Sequence, residues 1–287
     1  MNHVPVLEVG GTHVSAALVD PQSWQVTAHT RVPLDADASA DQVLDTFVAA
    51  GDAISAEAGA CWGVAMPDPF DYAGGVGQFE GVGKFAALNG VDVRTALLRG
   101  LSAEAAGVRF INDADAFILG EWVAGAAQGA DRCVGITLGT GIGSGWLADG
   151  LVADPGDPAG GRAHRLRIGG SPLEDVVSRR AIRRAFHRAG GDRTADVRQI
   201  AEFARRGDER AGRVLDESFA ALGEVLAPRL AAFHAEIVVI GGSMAASWDL
   251  FEPSFRAGAR VPLPAITLAG HPDTAALAGA AVHATRG

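Results

Sequence analysis

Asn112 and Asp113 are the adjacent side chains in this sequence best suited to chemistry. An apolar run, Val108 to Ile111, stops at Asn112-Asp113-Ala114-Asp115, and Phe117, Ile118, Leu119 and Trp122 then resume at helical spacing. That pattern reads as a strand, with an amide and a carboxylate at its C-terminal end, followed by a helix. In α/β proteins ligands collect at that end of a strand. A carboxylate walled by apolar residues can take a proton from a hydroxyl as a general base. The same residues could instead cap the helix, since Asn and Asp both accept from first-turn N–H groups. On local pattern alone, base and cap stay open.

Gly-rich turns follow other apolar runs at Gly10-Gly11-Thr12, at Gly139-Thr140-Gly141-Ile142-Gly143 and at Gly241-Gly242-Ser243. Glycine lets a ligand approach the main chain, and successive N–H groups in such a turn form a concavity for anions. The first turn adds the Thr12 hydroxyl; the second is the more nest-like. Neither matches the P-loop pattern or the G-x-G-x-x-G dinucleotide fingerprint. Ordinary hairpin turns would use the same residues. Turns at successive strand ends with a carboxylate pair between them point to a nucleotide held between two lobes.

The elements that must position these groups can be read in order. Residues 4–9, 14–19 and 24–32 are strands joined by short turns, an antiparallel meander. Residues 41–58 are helical. Cys61–Met66 is a strand ended by Pro67-Asp68-Pro69, which fixes an extended turn. Residues 70–90 form a long Gly- and aromatic-rich loop expected to face a ligand. Val91–Leu101 is a short helix. The pattern then restarts: LEVGGTHVSAALVD and ITLGTGIGSGWLADG are both strand, Gly-Thr turn, strand, Asp. An internal duplication follows, with lobes at 1–119 and 120–287 and a last helix that can return to the first lobe. Residues 150–172 are loop-like, and 173–189 form one basic amphipathic helix whose arginines read as a solvated face. Helices follow over 195–206 and 208–234, with Pro228 expected to kink the second or start a new segment. Strands near 236–240 and 266–268 and a helix over 274–285 close the chain.

Composition narrows the function. The 287-residue chain has 38 Gly, 48% hydrophobic residues and a net charge of −10. That is globular, and too acidic for a nucleic-acid footprint. Cys61 and Cys133 lie in apolar runs and are expected to be buried and reduced, and two cysteines build no multi-cysteine cluster. No signal peptide and no membrane-spanning run is visible, so a cytoplasmic protein is expected. Lys84 is the only lysine; that reads mainly as compositional bias, with some added interest in Lys84 itself.

Together these segments resemble the ROK family of sugar kinases, within the actin-like, sugar-kinase and chaperone ATPase superfamily, over essentially the whole chain. LEVGGTHVSAALVD resembles the first phosphate segment, AMPDPFD the substrate loop, INDADAFILGE the catalytic segment, ITLGTGIGSG the second phosphate segment and IVVIGGSMA the adenosine segment. The resemblance implies an α/β, actin-like (ribonuclease H-like) two-lobed ATPase fold with a duplicated βββαβα core. It implies ATP-dependent phosphorylation of a hexose, first of all the 6-hydroxyl of glucose, with Asp113 as base and Asn112 on the sugar. Gly10, Gly11, Thr12, Gly139, Thr140, Gly141 and Gly143 would cradle phosphates, and Gly241 and Gly242 would pass near the adenosine. Glu8 would face Mg²⁺, through water. A homodimer is implied, with no membrane or nucleic-acid partner.

The sequence departs from the family pattern at several places. Glu8 stands where the family usually has aspartate, one methylene shorter. The cysteines of the zinc-holding members are missing, so no zinc is expected; GGSPLEDVVSRRAI resembles the zinc-free variant, which makes Glu174 the implied sugar-binding glutamate. His164 could be a second sugar ligand or a plain loop histidine. Asp68 replaces a common glycine. Other hexoses (N-acetylhexosamine, mannose, fructose) and donors other than ATP stay open. Glu8 also motivates a weakly catalytic sugar-binding protein. The family's repressors carry an N-terminal helix-turn-helix; here a strand begins near residue 4, which disfavours that reading.

Overall fold

In the first half of the chain, alternating small and β-branched residues make a hairpin of β1 (Val4–Val9) and β2 (His13–Val19), extended by β3 (Val26–Pro33). The first two strands are buried almost throughout, and β3 alternates between half-buried and exposed positions, as a strand with one wet face should. A computed structural model describes residues 2–153 and 162–286. Helix α1 (Ala40–Asp52) begins at a capping box between Ser39 and Gln42. It leads to β4 (Cys61–Met66), a small hairpin of β5 (Phe70–Asp71) and β6 (Val76–Gly77), helix α2 (Val93–Gly100), β7 (Gly107–Asn112) and α3 (Asp113–Ala124).

The second half repeats the plan. The hairpin is β8 (Arg132–Leu138) and β9 (Ile142–Ala148), followed by β10 (Leu151–Val152), the pair β11 (Arg167–Ile168) and β12 (Ser171–Pro172), and helices α4 (Glu174–Val177), α5 (Arg179–Arg188), α6 (Val197–Arg205) and α7 (Glu209–Phe233). Then come β13 (Ile237–Gly241), α8 (Trp248–Gly258), β14 (Ala265–Leu268) and α9 (Ala275–Thr285). The main sheets have the strand orders β3-β2-β1-β4-β7 and β10-β9-β8-β13-β14. In each the first pair is antiparallel, and the strands on the other side of the hairpin run parallel to it. The same order and sense twice is the duplication that the two hairpins suggested.

The chain divides into two compact units, Met1–Gln128 with Asp273–Gly287, and Gly129–Pro272. The boundary read from the sequence, 119/120, cuts through α3, a helix that belongs wholly to the first unit. The reason is the packing of α3 on α9. Both helices are apolar nearly all round, so each must be enclosed. They cross at Gly120 and Gly279, where a Cβ would collide with the backbone of Ala275 and Ala116 respectively. Gly279→Val is expected to lower unfolding stability by about 3 kcal/mol or more, the cost of overpacking where the obstacle is backbone. Urea titration checks this, and a loss below ~1 kcal/mol would show that the helices can part.

Other expectations need correction. The helix read over 173–189 is two helices, broken at Ser178, which caps α5 by accepting from the Ala181 N–H. Pro228 lies inside one continuous α7. Helix α8 has no counterpart among the elements the sequence pattern predicts, because Pro253 within it disguises the helical spacing. Within the 70–90 loop, Phe70, Phe79 and Phe85 are buried core residues, with Phe70 against Phe110 at a centroid distance of 4.9 Å, while Tyr72 is half-buried. Cys133 is buried and Cys61 half-buried, both as free thiols. Pro155 and Pro158 of the expected 150–172 loop lie outside the described residues. Among the described residues no helix is long and apolar enough to cross a membrane.

Candidate active site

In the first unit, the β7–α3 junction separates the roles that Asn112 and Asp113 could share. Asn112 is the N-cap: its Oδ1 accepts from the N–H groups of Ala114 at 3.0 Å and Asp115 at 3.2 Å. Its Nδ2 donates to the Tyr72 hydroxyl at 3.1 Å. Asp113 is the first helical residue, half-buried, and accepts from the Ala114 N–H at 2.8 Å. Asp115, in the same first turn, is buried. The Tyr72 hydroxyl also lies 3.0 Å from Asp68 Oδ1. Burial, with the charge of Asp68 next, holds this phenol well above its ordinary range. Asp68 is thus more than a turn substitution, because it closes a chain Asp68–Tyr72–Asn112 across the ends of β4 and β7, whose last residues Met66 and Asn112 are in register.

Glu8, near the end of β1, faces the same region. Burial first, then the charges of Asp113 and Asp273, push its carboxyl up to about 7, against the opposing pull of Arg31. The Gly10-Gly11-Thr12 turn follows. The Thr12 hydroxyl lies 3.0 Å from His13 Nδ1, which Arg31 also reaches at 2.9 Å. Burial first, then the Arg31 charge, lowers the His13 pKa below the ordinary histidine value. The side chain of Lys84 lies over the turn: a Cβ on Gly11 would stand 2.9 Å from its Nζ. Tyr72, Arg31 and Asp273 are residues that sequence reasoning missed; only Lys84 carried a signal, its singularity.

The raised Glu8 carboxyl has a measurable consequence. A group whose pKa is higher folded than unfolded stabilises the fold below its ordinary value, near 4.5, and loses that contribution as pH rises through about 7. The loss is on the order of 3 kcal/mol. Glu8→Gln should therefore be more stable than the parent at pH 8 in metal-free buffer and flatter between pH 5 and 8. Urea midpoints at the two pH values test this; an unchanged pH dependence in the variant would remove Glu8 as its source.

The second unit holds the other glycine turns. The Gly139 N–H bonds to the Gly141 carbonyl at 3.0 Å, closing the β8–β9 turn, and the Met244 N–H bonds to Leu138 O at 3.0 Å. The latter draws the Gly241-Gly242 turn onto the end of β8. Gly242 has φ +84, and a Cβ there would collide with the Leu138 backbone, so only glycine fits. The Arg179 N–H at the start of α5 donates to Gly139 O at 3.0 Å. Glu174 lies against this turn, its Oε1 being 3.1 Å from where a Gly141 Cβ would be. His164 sits in a short 3-10 turn, Ala163–Arg165, pinned to β9 through the Ala163 N–H and Ser144 Oγ at 2.8 Å. A cavity of ≈ 330 Å³ opens beside Gly242, lined by Arg179, Gln199, Ser243, Met244 and Ser247 among others.

The structure therefore brings Glu8, Gly10, Gly11, Thr12, Asn112 and Asp113 together in one unit. It brings Gly139, Thr140, Gly141, Gly143, Gly241, Gly242, Glu174 and His164 into the other. The model of the ROK family matches residues 5–159 and 169–286. The chain belongs to the ROK family. Among relatives of this ROK protein, a glucokinase of Thermotoga maritima is 29% identical over 274 residues, 86% of this chain and 84% of that protein. An N-acetylmannosamine kinase of Escherichia coli is 33% identical over 144 residues, 47% of this chain and 48% of that one. The crystal structure of a ROK hexokinase from Thermus thermophilus superposes with a TM-score of 0.78 at 26% identity, covering 98% of this chain and 97% of that chain.

Proposed function

We propose that this ROK-family carbohydrate kinase transfers the terminal phosphoryl group of ATP to a hexose hydroxyl, the 6-hydroxyl of glucose first of all, with Asp113 as general base. The observation that carries the reading is the β7–α3 junction. Asn112 satisfies the first-turn donors of α3, and the Asp113 carboxylate lies close enough to Glu8 to raise its pKa. In the proposed step Asp113 accepts the hydroxyl proton as the sugar oxygen bonds to phosphorus, and the bridging P–O bond to ADP breaks. Phosphoryl transfer is mostly positioning and charge neutralisation. The Gly11-Thr12 turn with Lys84 supplies donors in one unit, and the Gly139–Gly143 turn supplies them in the other. The cavity beside Gly242 suits the nucleoside.

Glu8 suits Mg²⁺ held through water, an ion that binds through one or two carboxylates, phosphates and retained waters. Among the described residues no cluster of three or more His, Cys, Asp or Glu side chains forms a cage. Burial and neighbouring carboxylates have raised the Glu8 pKa, a strain that a cation relieves. When bound, Mg²⁺ neutralises phosphate charge.

Asn112, Glu174 and His164 are assigned to the sugar, Asn112 through its amide, because its carbonyl oxygen is committed to the cap. A cytoplasmic homodimer completes the reading. Coupled ADP release over a panel of glucose, mannose, fructose and N-acetylhexosamines tests it: glucose is expected to give the highest kcat/KM. A different best sugar changes the substrate, and no turnover with any of them overturns the kinase reading. The Glu8 substitution favours a second reading, a sugar-binding protein with weak catalysis. Calorimetric hexose binding beside a silent kinase assay would select it.

A further inference from the structure

Asp68 and Tyr72 meet Asn112 at the neighbouring ends of β4 and β7, and the phosphoryl step proposed above uses neither. The Tyr72 hydroxyl donates to Asp68 Oδ1 at 3.0 Å, with Met66 O a second acceptor at 3.2 Å, and it accepts from Asn112 Nδ2 at 3.1 Å. A carboxylate only accepts, and an amide nitrogen only donates. Burial, then the Asp68 charge, keeps the phenol protonated, so the chain of bonds runs one way, from Asn112 through Tyr72 to Asp68. The rest of Tyr72 is held independently of its hydroxyl. Its ring lies 5.5 Å from that of Phe70. Its carbonyl accepts from Arg94, whose Nε also donates to Val108 O of β7 at 3.3 Å. The turn around it is closed by the Gly75 N–H on Asp71 O at 2.7 Å and the Gly74 N–H on Asp71 Oδ1 at 2.8 Å.

The Asn112 amide is therefore held at its two ends by different parts of the fold. Oδ1 accepts from the Ala114 and Asp115 N–H groups, which keeps the start of α3, and Asp113 with it, in place. Nδ2 is held by Tyr72. A flipped amide would set its nitrogen against two N–H donors and its oxygen against a phenol already donating to Asp68, so one orientation satisfies both ends. An oxygen that itself donates to a carboxylate is a stronger acceptor, so Asp68 tightens the hold of Tyr72 on Nδ2. We infer that Tyr72 is a positioning residue of the sugar subsite: its hydroxyl, turned by Asp68, holds the Asn112 amide in the plane from which Nδ2 reaches a hexose hydroxyl. This rests on the kinase reading above, which puts Asn112 on the sugar. Loss of the Tyr72 hydroxyl releases Nδ2 but leaves the Oδ1 anchor and Asp113 where they are. The damage then falls on sugar binding rather than on proton transfer.

The test is Tyr72→Phe in the full chain, with Asp68→Ala and Asn112→Ser beside it. Phenylalanine keeps the ring contact with Phe70 and the backbone bond from Arg94, and serine can still cap α3. With the hexose that the parent uses best, Tyr72→Phe is expected to raise the hexose KM and the calorimetric hexose Kd by about five- to tenfold. Its kcat and its KM for ATP are expected to stay within about twofold of the parent. Asp68→Ala leaves Met66 O for the phenol and is expected to raise the hexose KM by a smaller factor. In Tyr72→Phe/Asn112→Ser the loss in kcat/KM, read from the initial slope, should equal that of Asn112→Ser alone, because the hydroxyl then has no amide to hold. Losses that multiply instead show Tyr72 acting without Asn112 and overturn the inference. A Tyr72→Phe hexose KM within about twofold of the parent overturns it too. So does a fallen Tm with kcat and both KM values changed alike, the mark of a merely structural role. A parent that binds hexose without turning it over overturns the kinase reading alone, and the calorimetric Kd of Tyr72→Phe still decides the role of Tyr72. A parent that neither binds nor turns over any hexose overturns both.

Discussion

Asp113→Asn is expected to lower kcat by about 10²–10⁴-fold, the range that a positioned general base contributes, while hexose binding measured by calorimetry stays close to that of the parent. The substitution is nearly isosteric. An amide oxygen can still accept from the Ala114 N–H, and the Asn112 cap that holds the start of α3 is untouched. What is lost is the capacity to take a proton. The variant also removes the second-largest cause of the raised Glu8 pKa. Its unfolding stability should therefore vary less with pH than the parent's, a readout independent of catalysis. A kcat within about threefold of the parent would end the assignment of Asp113 as base.

Lys84→Met is the second large effect. The Lys84 amino group sits over Gly11, in the turn whose N–H groups are assigned to phosphate. Removing one donor aimed at developing charge typically costs about 10²–10³-fold in kcat. Methionine keeps the apolar stem, so packing against the turn persists and Tm should hold. The loss should fall on kcat and on the KM for ATP, with the sugar KM unchanged, because the contact is to the phosphate turn. Loss confined to the sugar KM, or a kcat within about threefold of the parent, would place Lys84 outside the transfer step.

These two residues differ in how far the sequence exposed them. A local pattern marks Asp113 as a candidate, an apolar run ending in two polar residues before a helical stripe, but leaves base and cap open; the family resemblance is what favours the base. Lys84 had only its rarity to mark it, because the residues that make it matter lie more than seventy positions away in β1 and its turn. Tyr72 and Asp68 follow the same rule. Their link to Asn112 depends on β4 and β7 lying side by side with their ends in register, a pairing that no spacing encodes.

The sequence by itself determined the elements whose signal is local. The paired glycine hairpins, β8 at Arg132–Leu138, the strand that ends at Asn112 and the order of glycine-turn segments could all be read from it, since period-2 patterning and glycine turns act over a few residues. Tertiary structure decided what depends on enclosure and on neighbours distant in the chain. It settled which of Asn112 and Asp113 serves as the N-cap, because only backbone geometry orients an oxygen toward particular N–H groups. It made three phenylalanines of the 70–90 loop core, because Phe70 meets Phe110 of β7, Phe79 meets Phe70 and Phe85 meets Phe79. It joined α9 to the first unit through the close glycine crossing with α3. And it set the arginine run of α5 on a concave surface beside Thr140, with Arg180, Arg183 and Arg184 exposed as the sequence pattern implied.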